Sequence, residues 1–269
     1  MSSSPTWLQV QKNSHNATGY WGEPTTNHVF CEPHYAVTDY ISEFYNCVSS
    51  LVYTVLAIYT IRNEPKLRRD PYILCNFIWL ATIGIGSFFF HGTMRYSMQL
   101  TDEVPMMGFL TCLICTKLSN PKAHPWVPSQ LLSRLWCLAT VVLSVSVVYA
   151  YVVYDIYEIF VNGFIGITIL DTIVSLPFAG HKLGTDLHHS FGFMSLYCIL
   201  AGGLTWITEN NLCKQFPAVY PLHVLWHCLS CASGYYAILF TCLFRFSPEE
   251  VRNMNLLGLR RKPSGIKSA

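Results

Sequence analysis

Seven apolar runs in this chain are each long enough to cross the hydrocarbon core of a bilayer, which takes about 20 residues of helix. They lie near residues 40–61, 72–92, 99–117, 131–151, 157–177, 188–207 and 221–244. Inside lipid a segment must satisfy its backbone hydrogen bonds internally, so such runs are expected to be helices. The expected fold is therefore all-α, an integral membrane bundle of seven transmembrane helices. The third run holds Asp102 and Glu103 near its start, and the sixth follows His188 and His189, so hydropathy supports those two least. Composition agrees: 12% of residues are charged, against roughly 25% in soluble proteins.

Seven spans put the two termini on opposite sides, and the Lys/Arg distribution orients them. Fourteen of the seventeen Lys and Arg fall on the side of the carboxy terminus, and only Lys12, Arg95 and Lys214 on the other. The carboxy terminus is thus expected in the cytosol and the amino terminus in the lumen or outside. The corresponding division is a lumenal segment 1–39, a seven-helix transmembrane domain 40–246 and a cytosolic basic tail 247–269. Met1 to Thr18 has no apolar core of the signal-peptide kind, so the first span itself is expected to direct insertion. A net charge of +2, with no basic run interleaved with aromatics, excludes a nucleic-acid partner.

Most of the eleven cysteines sit inside apolar runs, where cysteine acts as a small hydrophobe. Cys31 and Cys213 lie in loops on the non-cytosolic side. They are either two free thiols or a disulfide, and an oxidising compartment favours the latter. Asn16-Ala17-Thr18 fits the glycosylation acceptor pattern on that same side.

With this topology five reactive side chains converge on one leaflet. Ser87 and His91, four residues apart, share a face at the lumenal end of the second helix. Asp102 begins the third helix and His223 and His227 begin the seventh, all from the same side. A lone histidine near a helix end is ordinarily a satisfied interfacial residue, and His-x-x-x-His without a following Glu is less diagnostic than the soluble metalloprotease pattern. The convergence favours a metal. Three imidazoles suit Zn2+ and leave a fourth position for water, Asp102 can take a proton, and the Ser87 hydroxyl can donate to a developing oxyanion. Those are the parts needed to hydrolyse an amide or ester. The remaining histidines, His15, His28, His34, His124, His181, His188 and His189, read as loop or interface residues. Asp171 reads as a structural pair or interfacial acid, and Glu209, beside Asn210 and Asn211, as a solvated loop acid. Phe88, Phe89 and Phe90 read first as packing, although a cavity lined with aromatics would suit an acyl chain.

The chain resembles the alkaline ceramidases, seven-helix membrane amidases. The resemblance is carried by Gly19-Tyr20-Trp21-Gly22, Cys31-Glu32 and Ser42-Glu43-Phe44 with Asn46. It continues through Gly86-Ser87, Phe90-His91, Met98-Gln99-Leu100, Asp102-Glu103 and Pro105-Met106, and ends with His223 and His227 around Trp226. It implies zinc at His91, His223 and His227, Asp102 and Ser87 as catalytic residues, a Cys31–Cys213 disulfide, and ceramide as substrate, cleaved to a sphingoid base and a fatty acid. It also implies residence in the endoplasmic reticulum or Golgi, and a calcium ion held by the amino-terminal segment through Glu32, Glu43 and the Phe30 carbonyl. Val29 and His34 stand where the family has an acid and an amide oxygen, so calcium is expected to bind weakly, with Asp39 or water compensating. The alternatives are a related membrane hydrolase or receptor of the adiponectin-receptor type, a catalytically silent lipid-binding protein and a metal transporter. The opening motifs, the expected orientation, the intact set of five site residues and a site confined to one end argue against them.

Overall fold

The computed structural model describes residues 18–120, 124–178 and 184–256. Seven long helices carry the fold: α1 Phe44–Asn63, α2 Pro71–Thr93, α3 Tyr96–Leu118, α4 Gln130–Tyr154, α5 Tyr157–Ser175, α6 Asp186–Leu212 and α7 Pro221–Cys242. Short helices Pro65–Arg69 and Pro248–Arg252 flank the bundle, and no strand is present among the described residues. The Asn16 acceptor and most of the basic tail lie outside the described residues.

Helix starts follow local chemistry. Asp70 accepts from the Tyr72 and Ile73 N–H groups at 3.0 and 3.1 Å, and Pro71 occupies the first position of α2, where a missing N–H costs nothing. Ser129 caps α4, while Thr185 and His188 cap α6 reciprocally. That capping box starts α6 ahead of His188 and His189. At its other end α6 runs on to Leu212, five residues past the apolar run, because the polar stretch Thr208–Asn211 is helical as well.

Six of the long helices have the length and hydropathy to cross a membrane. The exception is α3, whose Gln99, Asp102, Glu103 and Lys117 lower its hydropathy. All four are buried, and among them Lys117 pairs with Asp171 at 2.6 Å and with Ser175 at 3.0 Å. Asp171 thus makes a structural pair.

Helix α2 lies between α1 and α3, and α7 packs against α6, α1, α2 and α3. At Gly86 the α2 and α3 backbones touch: a Cβ there would lie 1.9 Å from the Thr101 carbonyl oxygen. Only glycine permits this approach, and it sets Ser87 beside the start of α3. The amino-terminal segment closes the same end of the bundle. Its backbone bonds the α2 terminus through Thr25 N–H to Met94 O at 3.0 Å and Glu43 N–H to His91 O at 2.9 Å. A disulfide ties Cys31 to Cys213, across 182 residues of chain.

Candidate metal centre

His91 stands on the last turn of α2, and His223 and His227 occupy successive turns at the start of α7. All three are buried, and one ligand atom from each lies within 4.8 Å of the others. Each ring is oriented from behind through Nδ1. His91 Nδ1 meets Glu43 Oε2 at 2.7 Å, His223 Nδ1 meets Glu209 Oε2 at 2.9 Å, and His227 Nδ1 meets Ser49 Oγ at 2.8 Å. The Ser49 hydroxyl already donates to the Asn46 carbonyl at 3.1 Å, so toward His227 it accepts. Every Nδ1 is therefore the protonated nitrogen, and each Nε2 lone pair is left for a shared ion. Three neutral imidazoles with ordered partners fit a divalent metal of the zinc type.

Asp102 and Ser87 are buried beside this cluster. The Gly86 contact sets the two side by side, since it brings the α2 and α3 backbones together at the adjacent residue. Both side chains and the three histidines border one cavity of about 500 Å³ whose other walls include Phe160, Phe164 and Leu200. A second cavity of about 490 Å³ extends toward Lys117 and Asp171 at the far end of the bundle. Thr168, Ile199 and Trp226 border both, so the two cavities adjoin. The first can hold an aliphatic chain with its polar end at the histidines.

One sequence expectation is overturned and two gain a detail. Glu209 is not a solvated loop acid: it is fully buried on the last turn of α6, bonding His223 and the Cys31 N–H, the latter at 3.1 Å. The neighbouring asparagines disguise a helix whose inner face continues past its apolar run. His34 does lie in a loop, in a turn of the amino-terminal segment, but it is buried, with Nε2 3.3 Å from Glu43 Oε1. His124 is buried too, its Nε2 3.0 Å from the Val174 carbonyl.

The residues expected to hold calcium are gathered here but otherwise engaged. Glu32 accepts the Tyr45 and Asn46 N–H groups at 2.7 and 2.8 Å, which caps α1. Burial, aided by the nearby Glu43 charge, pushes its carboxyl up to about 7. Glu43 takes His91 and the Asn46 amide on one oxygen and faces His34 with the other. Burial alone would raise its carboxyl; the two imidazoles outweigh that and hold it well below the usual range. The Phe30 ring covers the centre, 4.1 Å from the His223 ring and 5.0 Å from that of His91. Val29 offers no side-chain oxygen. Calcium takes six to eight oxygen ligands, and this set does not present them.

The family model described as Ceramidase matches residues 22–259. Among curated proteins, alkaline ceramidase 3 of Mus musculus is 28% identical, covering 86% of this chain and 90% of its own length. The protein dcd3B of Dictyostelium discoideum is 28% identical over 89% of this chain and 95% of its own. Alkaline ceramidase YPC1 of Saccharomyces cerevisiae is 28% identical, covering 82% and 77%. With a match over nearly all of its described helices, on a fold that buries three histidines around one point, the chain belongs to the ceramidase family of enzymes.

Proposed function

We propose that this protein hydrolyses the amide bond of ceramides, giving a sphingoid base and a free fatty acid, with zinc as its metal and with the reaction taking place inside the bilayer. The observation that carries the reading is the cluster His91, His223 and His227, each ring fixed through Nδ1, opening together with Asp102 and Ser87 on an apolar cavity. All seven long helices span the membrane in this reading, including α3, whose polar side chains are buried inside the bundle where lipid does not meet them. The amino terminus is lumenal and the carboxy terminus cytosolic, in the endoplasmic reticulum or Golgi.

His91, His223 and His227 would hold the zinc ion, which would supply Lewis acidity when bound. The chain's own groups do the rest. The cavity receives the aliphatic chains and excludes bulk water, which strengthens every electrostatic contact at the reacting carbon. Ser87 donates its hydroxyl to the carbonyl oxygen as negative charge develops there. Asp102 accepts the proton that the water loses on attack, then delivers it to the nitrogen as the C–N bond breaks, so the base leaves as a neutral amine.

Substituting Asp102 by Ala tests these roles on a panel of ceramides. Release of sphingoid base is expected to fall by about 10²–10⁴-fold with the metal retained. Loss of the metal in this variant would make Asp102 a ligand and overturn its assignment as the proton carrier.

A further inference from the structure

Glu103 borders the catalytic cavity beside Asp102, and the mechanism above gives it no task. Its side chain is buried and held from behind. One oxygen accepts the Gln99 amide at 3.0 Å and the other accepts the Tyr151 hydroxyl at 2.5 Å. Gln99 is fixed in turn: its amide donates to Asn27 Oδ1 at 2.6 Å, and its Oε1 accepts the Asn27 N–H at 3.2 Å. Asn27 Nδ2 reaches Asp155 Oδ1 at 3.0 Å and the Tyr151 oxygen at 3.4 Å. The amino-terminal segment, α3 and α4 thus cooperate to lock one carboxylate in place.

A carboxylate has about four acceptor sites, and only two are used here. Keeping it in an apolar cavity is costly unless further donors reach it. An aliphatic chain supplies none. A ceramide, however, carries hydroxyl groups on both carbons that flank the nitrogen-bearing carbon, so they lie within a few bonds of the amide that Asp102 serves. Glu103 follows Asp102 directly in the chain, about 3.8 Å away between Cα atoms, and both border the same space.

We infer that Glu103 accepts a hydrogen bond from a hydroxyl of the substrate's amino-alcohol portion, and so selects N-acyl amino alcohols over plain fatty amides. The inference rests on the ceramide reading above. A site built to bond a hydroxyl rejects an analogue lacking it far more strongly than an apolar pocket discriminates between chains.

The test compares the zinc-loaded full chain on ceramide and on 1-deoxy and 3-deoxy ceramides of the same chain lengths. Wild type is expected to favour ceramide over at least one deoxy analogue by about 10–100-fold in kcat/KM, the range of a hydrogen bond to a charged group. In Glu103→Gln that ratio falls to within about threefold of one, because the amide is a weaker acceptor. Tyr151→Phe, which removes one support and leaves the core shape, narrows the ratio partway and serves if Glu103→Gln does not fold. Equal losses on ceramide and deoxy analogues would assign Glu103 to anchoring the helices and overturn the inference. So would a wild type that cleaves all three alike. If wild type cleaves no ceramide, the substrate reading itself has failed and the inference falls with it, a result distinct from cleavage without discrimination.

Discussion

Glu209 is the sharpest place to perturb the proposed metal centre without touching a ligand. Its carboxylate accepts His223 Nδ1–H at 2.9 Å on one oxygen and the Cys31 N–H at 3.1 Å on the other, deep in the protein. Glu209→Gln preserves volume but supplies one acceptor and one donor where two acceptors are needed. If the amide oxygen stays with the Cys31 N–H, the NH₂ group faces His223 Nδ1, which must then accept. The ring proton moves to Nε2, the atom that would bind the metal, and must be displaced for binding to occur. If the amide turns the other way, the NH₂ group confronts the Cys31 N–H and that donor is left unpaired. Loss of such a partner typically costs 10–100-fold in metal affinity, or about 1.4–2.7 kcal/mol. Zinc affinity measured by chelator competition on purified protein reads this directly. Ser49→Ala, which removes a neutral acceptor from His227, is expected to cost less, by a few-fold. Equal zinc affinity for wild type and Glu209→Gln would refute the argument that Nδ1 partners hold these rings ready for a metal.

Other consequences are as direct. In Gly86→Ala, the new methyl would sit 1.9 Å from the Thr101 carbonyl oxygen, against 3.4 Å for ordinary contact. Helices α2 and α3 must part by about 1.5 Å, and a misplacement of that size costs about 10²-fold in turnover; unchanged turnover would show that the side-by-side placement of Ser87 and Asp102 is not set there. Glu32, with its carboxyl raised to about 7, favours the folded state when protonated. That contribution is present below the ordinary value near 4.5 and is lost as pH rises through about 7, on the order of 1–3 kcal/mol. Thermal melts of Glu32→Gln should therefore lack the decline between pH 5 and 8 that wild type shows, and parallel curves would remove Glu32 as its source. Because the acids expected to bind calcium are occupied by backbone N–H groups and imidazoles, adding millimolar calcium after chelator treatment should change activity by less than about twofold and leave the melting temperature in place. A clear calcium-dependent rise in melting temperature, which ligand binding to the folded state would produce, contradicts that reading.

Much of the helix layout was legible because lipid leaves few options: long apolar runs become helices, and their ends fell within a few residues of expectation except for α6. There the apolar signal stops at residue 207 while the helix continues to Leu212. A solvent-like composition hid a buried turn, and with it Glu209. The five convergent residues were readable because i, i+4 spacing and shared topology place them at one end whatever the packing. Their supporting groups were not. Ser49 is an ordinary hydroxyl in an apolar helix, Glu43 is implied to be a calcium ligand by the family resemblance, and His34 carries no local signature at all. What joins them to the histidines is the way the amino-terminal segment folds over the helix ends, through Glu43 N–H to His91 O and the Cys31–Cys213 link. That is a long-range arrangement, and no local pattern encodes it. The Glu103 network is of the same kind, spanning up to 128 residues of sequence between Asn27 and Asp155.

Zinc reconstitution followed by ceramide hydrolysis asks whether the three-histidine centre performs the chemistry proposed for it. Protein stripped of metal with a strong chelator, then titrated with zinc, should regain release of sphingoid base in proportion to zinc bound, with full activity at one ion per chain, while His223→Ala neither retains the ion nor recovers activity. Full ceramide hydrolysis by the metal-free protein, or by His223→Ala, would contradict the account.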